Sequence, residues 1–200
     1  NNSQADLAFL SAHDDDPFAR YEAMQQLMVN MLVGAIAGHD VDPGAVVAAV
    51  RNTASDPSLD PAFIAEAIRL PSEAYLGDQM RLVDPDAIHA ARDGLQRRIG
   101  AELEPLWRDI HARTRANGFS LSPAAKGARK LGNVALLYLA ASGAQDGDAI
   151  AFAQFNEADN MTERQAALAV LANGTGSERE AALDIFYNRY RDDALTLDKW

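Results

Sequence analysis

The chain of 200 residues contains no cysteine. That excludes a disulfide frame and any thiolate nucleophile, and it fits a reducing compartment. Aromatic residues make up only 7%. Basic residues are scarce, with 18 Lys and Arg against 29 Asp and Glu, for a formal net charge of -11. A balance this acidic argues against binding a phosphate backbone. No uninterrupted apolar run approaches the ~20 residues that a membrane span needs; the most apolar stretch runs from Leu131 to Ala141. The first ten residues are polar and acidic and lack the basic flank of a signal peptide. No window alternates with period two, so a sheet is not expected.

Hydrophobic residues, at 48%, supply ample core. The charge is unevenly distributed. Residues 1–60 carry two Arg against nine acids, whereas residues 81–130 carry ten bases against six acids. The basic middle either faces an acidic partner surface or forms the solvated side of a long helix.

That helix is the longest periodic stretch, from Asp84 to Asn117. Asp84-Pro85-Asp86 reads as an N-cap, a proline at the first helical position and an acid in the first turn. Ile88, Ala91, Leu95, Ile99, Leu103, Leu106 and Ile110 recur at threes and fours and form one stripe. Asp93/Arg97, Glu104/Arg108 and Asp109/Arg113 form acid-before-base pairs at i,i+4 on the other side. Pro105 is expected to kink or break the helix near Leu103–Glu104.

Similar punctuation recurs along the chain. Ser3 caps a first helix through Ala12. Asp16-Pro17 starts a second with Phe18, Tyr21, Met24, Met28, Leu32 and Ile36 on one face, ended by Gly38. Asp42-Pro43 and Asp60-Pro61 start two more, the latter with Phe63, Ile64, Ala67 and Ile68 inward. Ser72 caps a short helix ending near Met80. Gly118 stops the long helix, and Ser122-Pro123 opens one running to about Ser142 whose second half is apolar all round and therefore central. A further helix spans about Asp148 to Asn156. Thr162-Glu-Arg-Gln165 and Ser177-Glu-Arg-Glu180 read as capping boxes. The pattern predicts an all-α fold, residues 1–200 forming a single helical domain of about ten helices in antiparallel αα-hairpins, stacked as a curved solenoid. No fixed-period repeat is visible.

Candidates for chemistry are few. A zinc peptidase site needs His-Glu-x-x-His on a helix, but no two of His13, His39, His89 and His111 lie within five residues of each other. Asp14-Asp15-Asp16 lacks the spaced acids, Gly and closing Glu of a calcium loop and reads as a helix cap. Asp86 and His89, at i,i+3, are a conceivable proton-relay pair or a surface pair at a helix start. Asp40 and Asp42 beside His39 read as a capped loop. Ser122 and Ser177 read as caps, and no nucleophile elbow occurs. Lys126, Arg129 and Lys130 cluster near a helix start, where phosphate binds in other folds, but no Gly-rich loop precedes them. Gly94, Gly100, Gly127 and Gly132 lie inside helices, where each costs ~1 kcal/mol against Ala; close helix–helix approach is their expected use. Asn156–Thr162 reads as an interhelix turn in which Asn160 and Thr162 bond to backbone.

Four motifs occur in an order and at a spacing similar to bacterial aminopeptidase N, the zinc-dependent alanyl aminopeptidase family of gluzincin metallopeptidases. They are Leu70-Pro-Ser-Glu-Ala-Tyr-Leu76, Val83-Asp-Pro-Asp-Ala-Ile-His-Ala-Ala-Arg-Asp-Gly-Leu95, Phe155-Asn-Glu-Ala-Asp-Asn-Met-Thr-Glu-Arg-Gln-Ala-Ala-Leu168 and Leu197-Asp-Lys-Trp200. The resemblance runs from Ser3 to Trp200. It implies a four-part enzyme whose last part is a large helical domain, and this chain resembles the first portion of that domain. It begins Asn-Asn without Met and ends at Trp200 as a new apolar pattern starts, so both ends read as cut points. The family's zinc ligands, catalytic Glu and Gly-Ala-Met-Glu-Asn motif have no counterpart here. No catalytic, cofactor-binding or metal residue is therefore assigned, and zinc belongs to the parent enzyme. The implied role is architectural: to enclose the substrate chamber of a cytoplasmic hydrolase that removes N-terminal residues from peptides. Its partners would be the catalytic and remaining helical parts of the same enzyme and the parent's peptide substrates, with no nucleic acid and no membrane. The chain alone is expected to be inactive. The alternatives are a free-standing helical-repeat scaffold for a protein partner and a small enzyme built on Asp86 and His89.

Overall fold

A computed structural model describes residues 2–115 and 118–200. Among the described residues there are twelve helices and no strand. They are α1 (Gln4–His13), α2 (Pro17–Ile36), α3 (Gly44–Ser55), α4 (Pro61–Ala67), α5 (Glu73–Asp78), α6 (Pro85–Glu102), α7 (Glu104–Thr114), α8 (Pro123–Ala141), α9 (Gly147–Glu157), α10 (Met161–Ala172), α11 (Ser177–Tyr190) and α12 (Ala194–Leu197). The ten expected helices become twelve because the long one is divided and the short α12 is added. The expected end of the long helix at Asn117 lies outside the described residues.

The division has the anticipated cause. Pro105 has no N–H to give, and its ring crowds the carbonyl four residues back. Leu103 leaves helical geometry at φ -115°, ψ 18°, ending α6 and serving as the N-cap of α7. The Trp107 indole N–H, buried beneath the break, donates to the Ile99 carbonyl at 3.1 Å, which also accepts the Leu103 N–H at 3.2 Å, so the last turn of α6 is tied to the core. The stripe survives the break: Ile88, Leu95, Ile99, Leu103 and Ile110 are all buried. The three expected ion pairs form as well, at 2.7 Å for Asp93–Arg97, 2.8 Å for Glu104–Arg108 and 3.2 Å for Asp109–Arg113.

Most caps sit where the sequence puts them. Ser3, Asp16, Asp60, Ser72, Asp84 and Ser122 each accept a bond from a first-turn N–H. Gly38, at φ 76°, closes α2 in the left-handed conformation that favours glycine; its N–H reaches Ala35 O and that of His39 reaches Gly34 O. Two expected capping boxes do not form. Helix α10 starts earlier, capped by Asn160, whose Oδ1 accepts from Glu163 N at 3.0 Å, so Thr162 is already helical. Helix α11 begins at Ser177 itself after Gly176, and the Ser177 hydroxyl turns to Glu178 rather than to the backbone. In both places a residue upstream adopts the extended cap geometry first, leaving the hydroxyl one or two positions inside the helix. Helix α3 starts at Gly44 with Pro43 in the cap position, while Asp42 still accepts from Gly44 N at 2.9 Å.

Helix α8 is the centre of the stack. It packs against α4, α6, α7, α9 and α10. Leu131, Val134, Ala135, Tyr138 and Leu139 enter the larger core, built from α1 to α8. Leu136 enters a second core with Phe155, Leu168, Leu171 and Phe186 from α9 to α11. A helix that must bury both flanks has to be apolar all round, which is why its sequence reads that way. Tyr138 stacks on Trp107 with ring centroids 4.7 Å apart, and its hydroxyl donates to Ile68 O at 2.6 Å. Burial raises its pKa above the ordinary phenol range. One side chain thus ties α7, α8 and the end of α4 together.

Of Gly94, Gly100, Gly127 and Gly132, three are used for close approach. A Cβ on Gly100 would collide with the Tyr138 carbonyl and lie 3.0 Å from Ser142 N; one on Gly127 would lie 3.1 Å from Ala62 N, and one on Gly132 2.5 Å from Thr114 Oγ1. Gly94 faces open space. Phe18 also departs from expectation. It begins the inward face of α2 yet is 68% exposed, because that face turns outward at the N-terminal end of the helix.

Candidate functional site

The residues singled out for chemistry do not converge. His89 lies in α6 with its Nδ1 2.8 Å from Glu73 Oε1 on α5, not paired with Asp86, and both partners are exposed. Within Asp14–Asp16, Asp14 accepts from Asp16 N and Asp16 from Phe18 N, each at 2.9 Å, which is the geometry of a helix cap. Among the described residues, no three His, Asp or Glu side chains are grouped so as to hold a metal ion. His89 is committed to a surface carboxylate and His111 to an amide in the core.

His111 is the residue that sequence reasoning passed over. It is 6% exposed between α7 and α9. Gln154 spends its amide N–H groups on Asn133 Oδ1 at 2.9 Å and Glu163 O at 3.1 Å, which turns its carbonyl toward His111 Nε2 at 2.8 Å. His111 Nε2–H must then be the donor. Desolvation holds its pKa below the ordinary histidine value. The Gln154 bond opposes that shift, Arg115 adds to it, and Glu163 opposes it. The network joins α7, α8, α9 and α10. Its only sequence signal is a polar residue within the buried face of each helix.

A second polar junction lies on the surface. Arg108 reaches Glu104 at 2.8 Å and both oxygens of Asp146 at 2.9 and 2.6 Å, a bidentate pair across the loop before α9. The bonds to Arg108 lower the Asp146 pKa, and those to Asp146 and Glu104 raise that of Arg108. Both groups stay charged and act as a clasp.

The Asn156–Thr162 turn is structural. Asn160 caps α10, and the Thr162 carbonyl receives the Asn133 amide at 3.5 Å. Arg164, unremarked in the sequence, donates to Phe155 O at 3.2 Å and to the Ala158 carbonyl, bonding one carbonyl of the last turn of α9 and that of its C-cap.

What the surface does offer is an open furrow. A recess of about 590 Å³ beside Phe18, Tyr21 and Phe63 shares Lys130 with a groove of about 670 Å³ between α8 and α10. That groove shares Leu137, Val170 and Asn173 with a third recess of about 730 Å³ that reaches His89 and Arg92. The Lys126–Arg129–Lys130 cluster lies along the middle section. Arg129 is 8% exposed; its guanidinium donates to Ser120 O at 2.7 Å and stands 5.0 Å over the Phe119 ring, so it orders the loop ahead of α8. The arrangement suits covering or holding a polypeptide and holds no nucleophile, base and electrophile in mutual reach.

Residues 4–200 match a family described as "Domain of unknown function (DUF3458_C) ARM repeats". Aminopeptidase N of Caulobacter vibrioides is 35% identical over 199 residues, which is 98% of this chain and 23% of that protein. Aminopeptidase N of Escherichia coli is 29% identical over 203 residues, 99% of this chain and 23% of that protein. The crystal structure of Legionella pneumophila aminopeptidase A in complex with aspartic acid matches with a TM-score of 0.86 and 25% identity, covering 100% of this chain and 25% of that one. The chain spans about a quarter of the length of the curated relatives it matches.

Proposed function

The chain belongs to the DUF3458_C ARM-repeat family, and from that premise we propose that it is one architectural part of a zinc-dependent aminopeptidase that removes N-terminal residues from peptides. It corresponds to a C-terminal helical domain of aminopeptidases and not to their catalytic part. In this reading residues 1–200 act as one helical domain that helps enclose the substrate chamber. Its partners are the catalytic and remaining helical parts of the same enzyme, and through them the peptide substrate. Zinc and its chemistry reside in the catalytic part, and the enzyme works in the cytoplasm. Among the described residues, no helix is long and apolar enough to cross a membrane.

The observation that carries the reading is the pairing of near-complete coverage of this chain with quarter coverage of its aminopeptidase relatives. The dispersal of the histidines supports it. The test is hydrolysis of an alanyl chromogenic substrate by the purified chain, with bound zinc assayed on the same sample. No turnover and no stoichiometric zinc is the expected result. Turnover that co-purifies with the chain and is lost with a chelator would overturn the reading.

A further inference from the structure

The groove between α8 and α10 differs in charge from the rest of the molecule. Arg69, Lys126, Arg129 and Lys130 line it and no carboxylate does, in a chain of net charge -11. Only Lys130 is neutralised, by Glu66. Among the described residues, Arg69, Lys126 and Arg129 have no carboxylate partner in an ion pair. Between these cations the floor is apolar, formed by Val134 and Leu137 of α8 and Ala166, Ala169 and Val170 of α10. Its outer wall is Phe119 and Leu121, which are 52% and 65% exposed although the Arg129 bond to Ser120 holds their loop in place. Large apolar side chains fixed in water beside unpaired cations mark an interaction surface. The volume, about 670 Å³, is within the ~300–1,000 Å³ of pockets that bury a bound molecule.

We propose that this groove seats an acidic stretch of polypeptide carrying a bulky apolar anchor, supplied by the portion of the aminopeptidase outside these 200 residues. The inference rests on the reading of the chain as one part of that enzyme. The chemistry selects the occupant. Cations without counter-charge call for carboxylates, and the apolar floor calls for an aliphatic or aromatic side chain between them. Asn173 also lines the groove; its amide N–H donates to Ala169 O, and its side-chain oxygen provides an acceptor for a peptide N–H. Nucleic acid would meet the strongly negative remainder of the molecule and leave the apolar floor uncovered.

The test uses the purified chain and a fluorescein-labelled dodecapeptide of Asp and Glu with one central Leu-Phe pair, followed by fluorescence anisotropy. Saturable binding that weakens with added salt is expected. The Arg69→Glu/Lys126→Glu variant, whose two positions are exposed, should weaken it at least about tenfold, and Phe119→Ser should do likewise. Arg51→Glu, on α3 away from the groove, should leave it unchanged. Circular dichroism and thermal melts matching the parent chain show that each variant is folded. Overlapping peptides covering the remainder of Caulobacter vibrioides aminopeptidase N are then used as competitors, and an acidic peptide with an apolar anchor should displace the probe. Absence of probe binding, or binding indifferent to the charge reversal, would overturn the groove itself. Tighter binding to phosphatidylserine vesicles or to single-stranded DNA than to the probe would overturn the choice of a peptide. Probe binding with no competitor among the enzyme's peptides would overturn the assigned source. None of these outcomes depends on the activity and zinc assay, so the two readings fail separately.

Discussion

Two glycines six residues apart in α6 should respond in opposite directions to the same substitution. Gly94 has nothing within 4 Å of where a Cβ would stand, and it is exposed in mid-helix. Gly94→Ala therefore gains helix propensity and restricts the unfolded chain, stabilising by about 1 kcal/mol. Gly100 is the point where α6 lies against α8. An added Cβ meets the Tyr138 carbonyl well inside contact distance, with Ser142 N at 3.0 Å and Ser142 Cα at 3.1 Å. All three are backbone atoms, so no rotamer change relieves the clash. Restoring an ordinary C···O separation of ~3.3–3.6 Å needs the two helices to part by roughly 1 Å, and a gap of that size forfeits a quarter to a half of each van der Waals contact along the seam. Tyr138 also carries the stack on Trp107 and the bond to Ile68 O, so the displacement is passed to α7 and α4. The cost falls at the upper end of the ~1–3 kcal/mol typical of overpacking, leaving Gly100→Ala about 2 kcal/mol less stable after the propensity gain. For a chain of this size, ~1 kcal/mol shifts Tm by roughly 2–4 °C. Gly94→Ala should then melt about 3 °C higher and Gly100→Ala about 4–8 °C lower. The two sites are ~9 Å apart along the helix, so the double variant should melt near the sum. Calorimetry, with urea unfolding to check that m is unchanged, makes the comparison. A Gly100→Ala variant as stable as the parent would refute the α6–α8 approach.

Other consequences follow from single residues. His111 is held neutral by burial, and its folded pKa lies below the unfolded value of ~6.5. Its contribution to stability is complete above that unfolded value and is lost as pH falls through the folded one; Tm recorded from pH 7.5 downward should decline over that range, and His111→Gln should flatten the decline. Tyr138→Phe removes the donor to Ile68 O in the core and should cost ~1–3 kcal/mol in urea unfolding, with no loss of helix content by circular dichroism. Among the described residues the buried Thr53 hydroxyl has no hydrogen-bond partner; Thr53→Val should raise stability by about 1 kcal/mol in the same assay, and a loss instead would reveal a partner for that hydroxyl.

Much of the architecture was legible because its causes are local. An Asx or Ser before Pro sets a helix start through one hydroxyl or carboxylate and a fixed φ, so α2, α4, α6 and α8 begin where their residues say. The break at Leu103 follows from Pro105 in the same way. The misplaced starts of α10 and α11 show the limit of such reasoning. Thr162 and Ser177 have the right spacing to an acid or amide, but Asn160 and Gly176 stand upstream and take the cap position first. A capping motif names a competent residue without deciding which of two competitors wins. The absence of a visible repeat has a related origin. Helices from 4 to 20 residues long stack through faces rather than through shared residues, so the ARM-repeat character of the family leaves no fixed period.

The candidate site offered little for the sequence to show. Four histidines lie too far apart for a zincin motif, so no metal-based chemistry was assigned to these residues. What the sequence hid are the features made by tertiary contact. The Glu73 partner of His89 is 16 residues away, and the Gln154 partner of His111 is 43 away. Periodicity within one helix carries no information on either. The groove is hidden for the same reason. Arg69 closes the end of α4, Lys126 and Arg129 lie on α8, and Val170 on α10, so three separate stretches supply one surface. The sequence shows a basic middle and leaves open whether it is solvated or faces an acidic partner. Folding divides that segment: i,i+4 partners neutralise Arg97 and Arg98 of α6 and Arg108 and Arg113 of α7 along their own helices, while Lys126 and Arg129 of α8 are joined by Arg69 around an apolar floor. Part of the charge excess of the middle of the chain is thereby gathered at a groove that no Asp or Glu lines among the described residues.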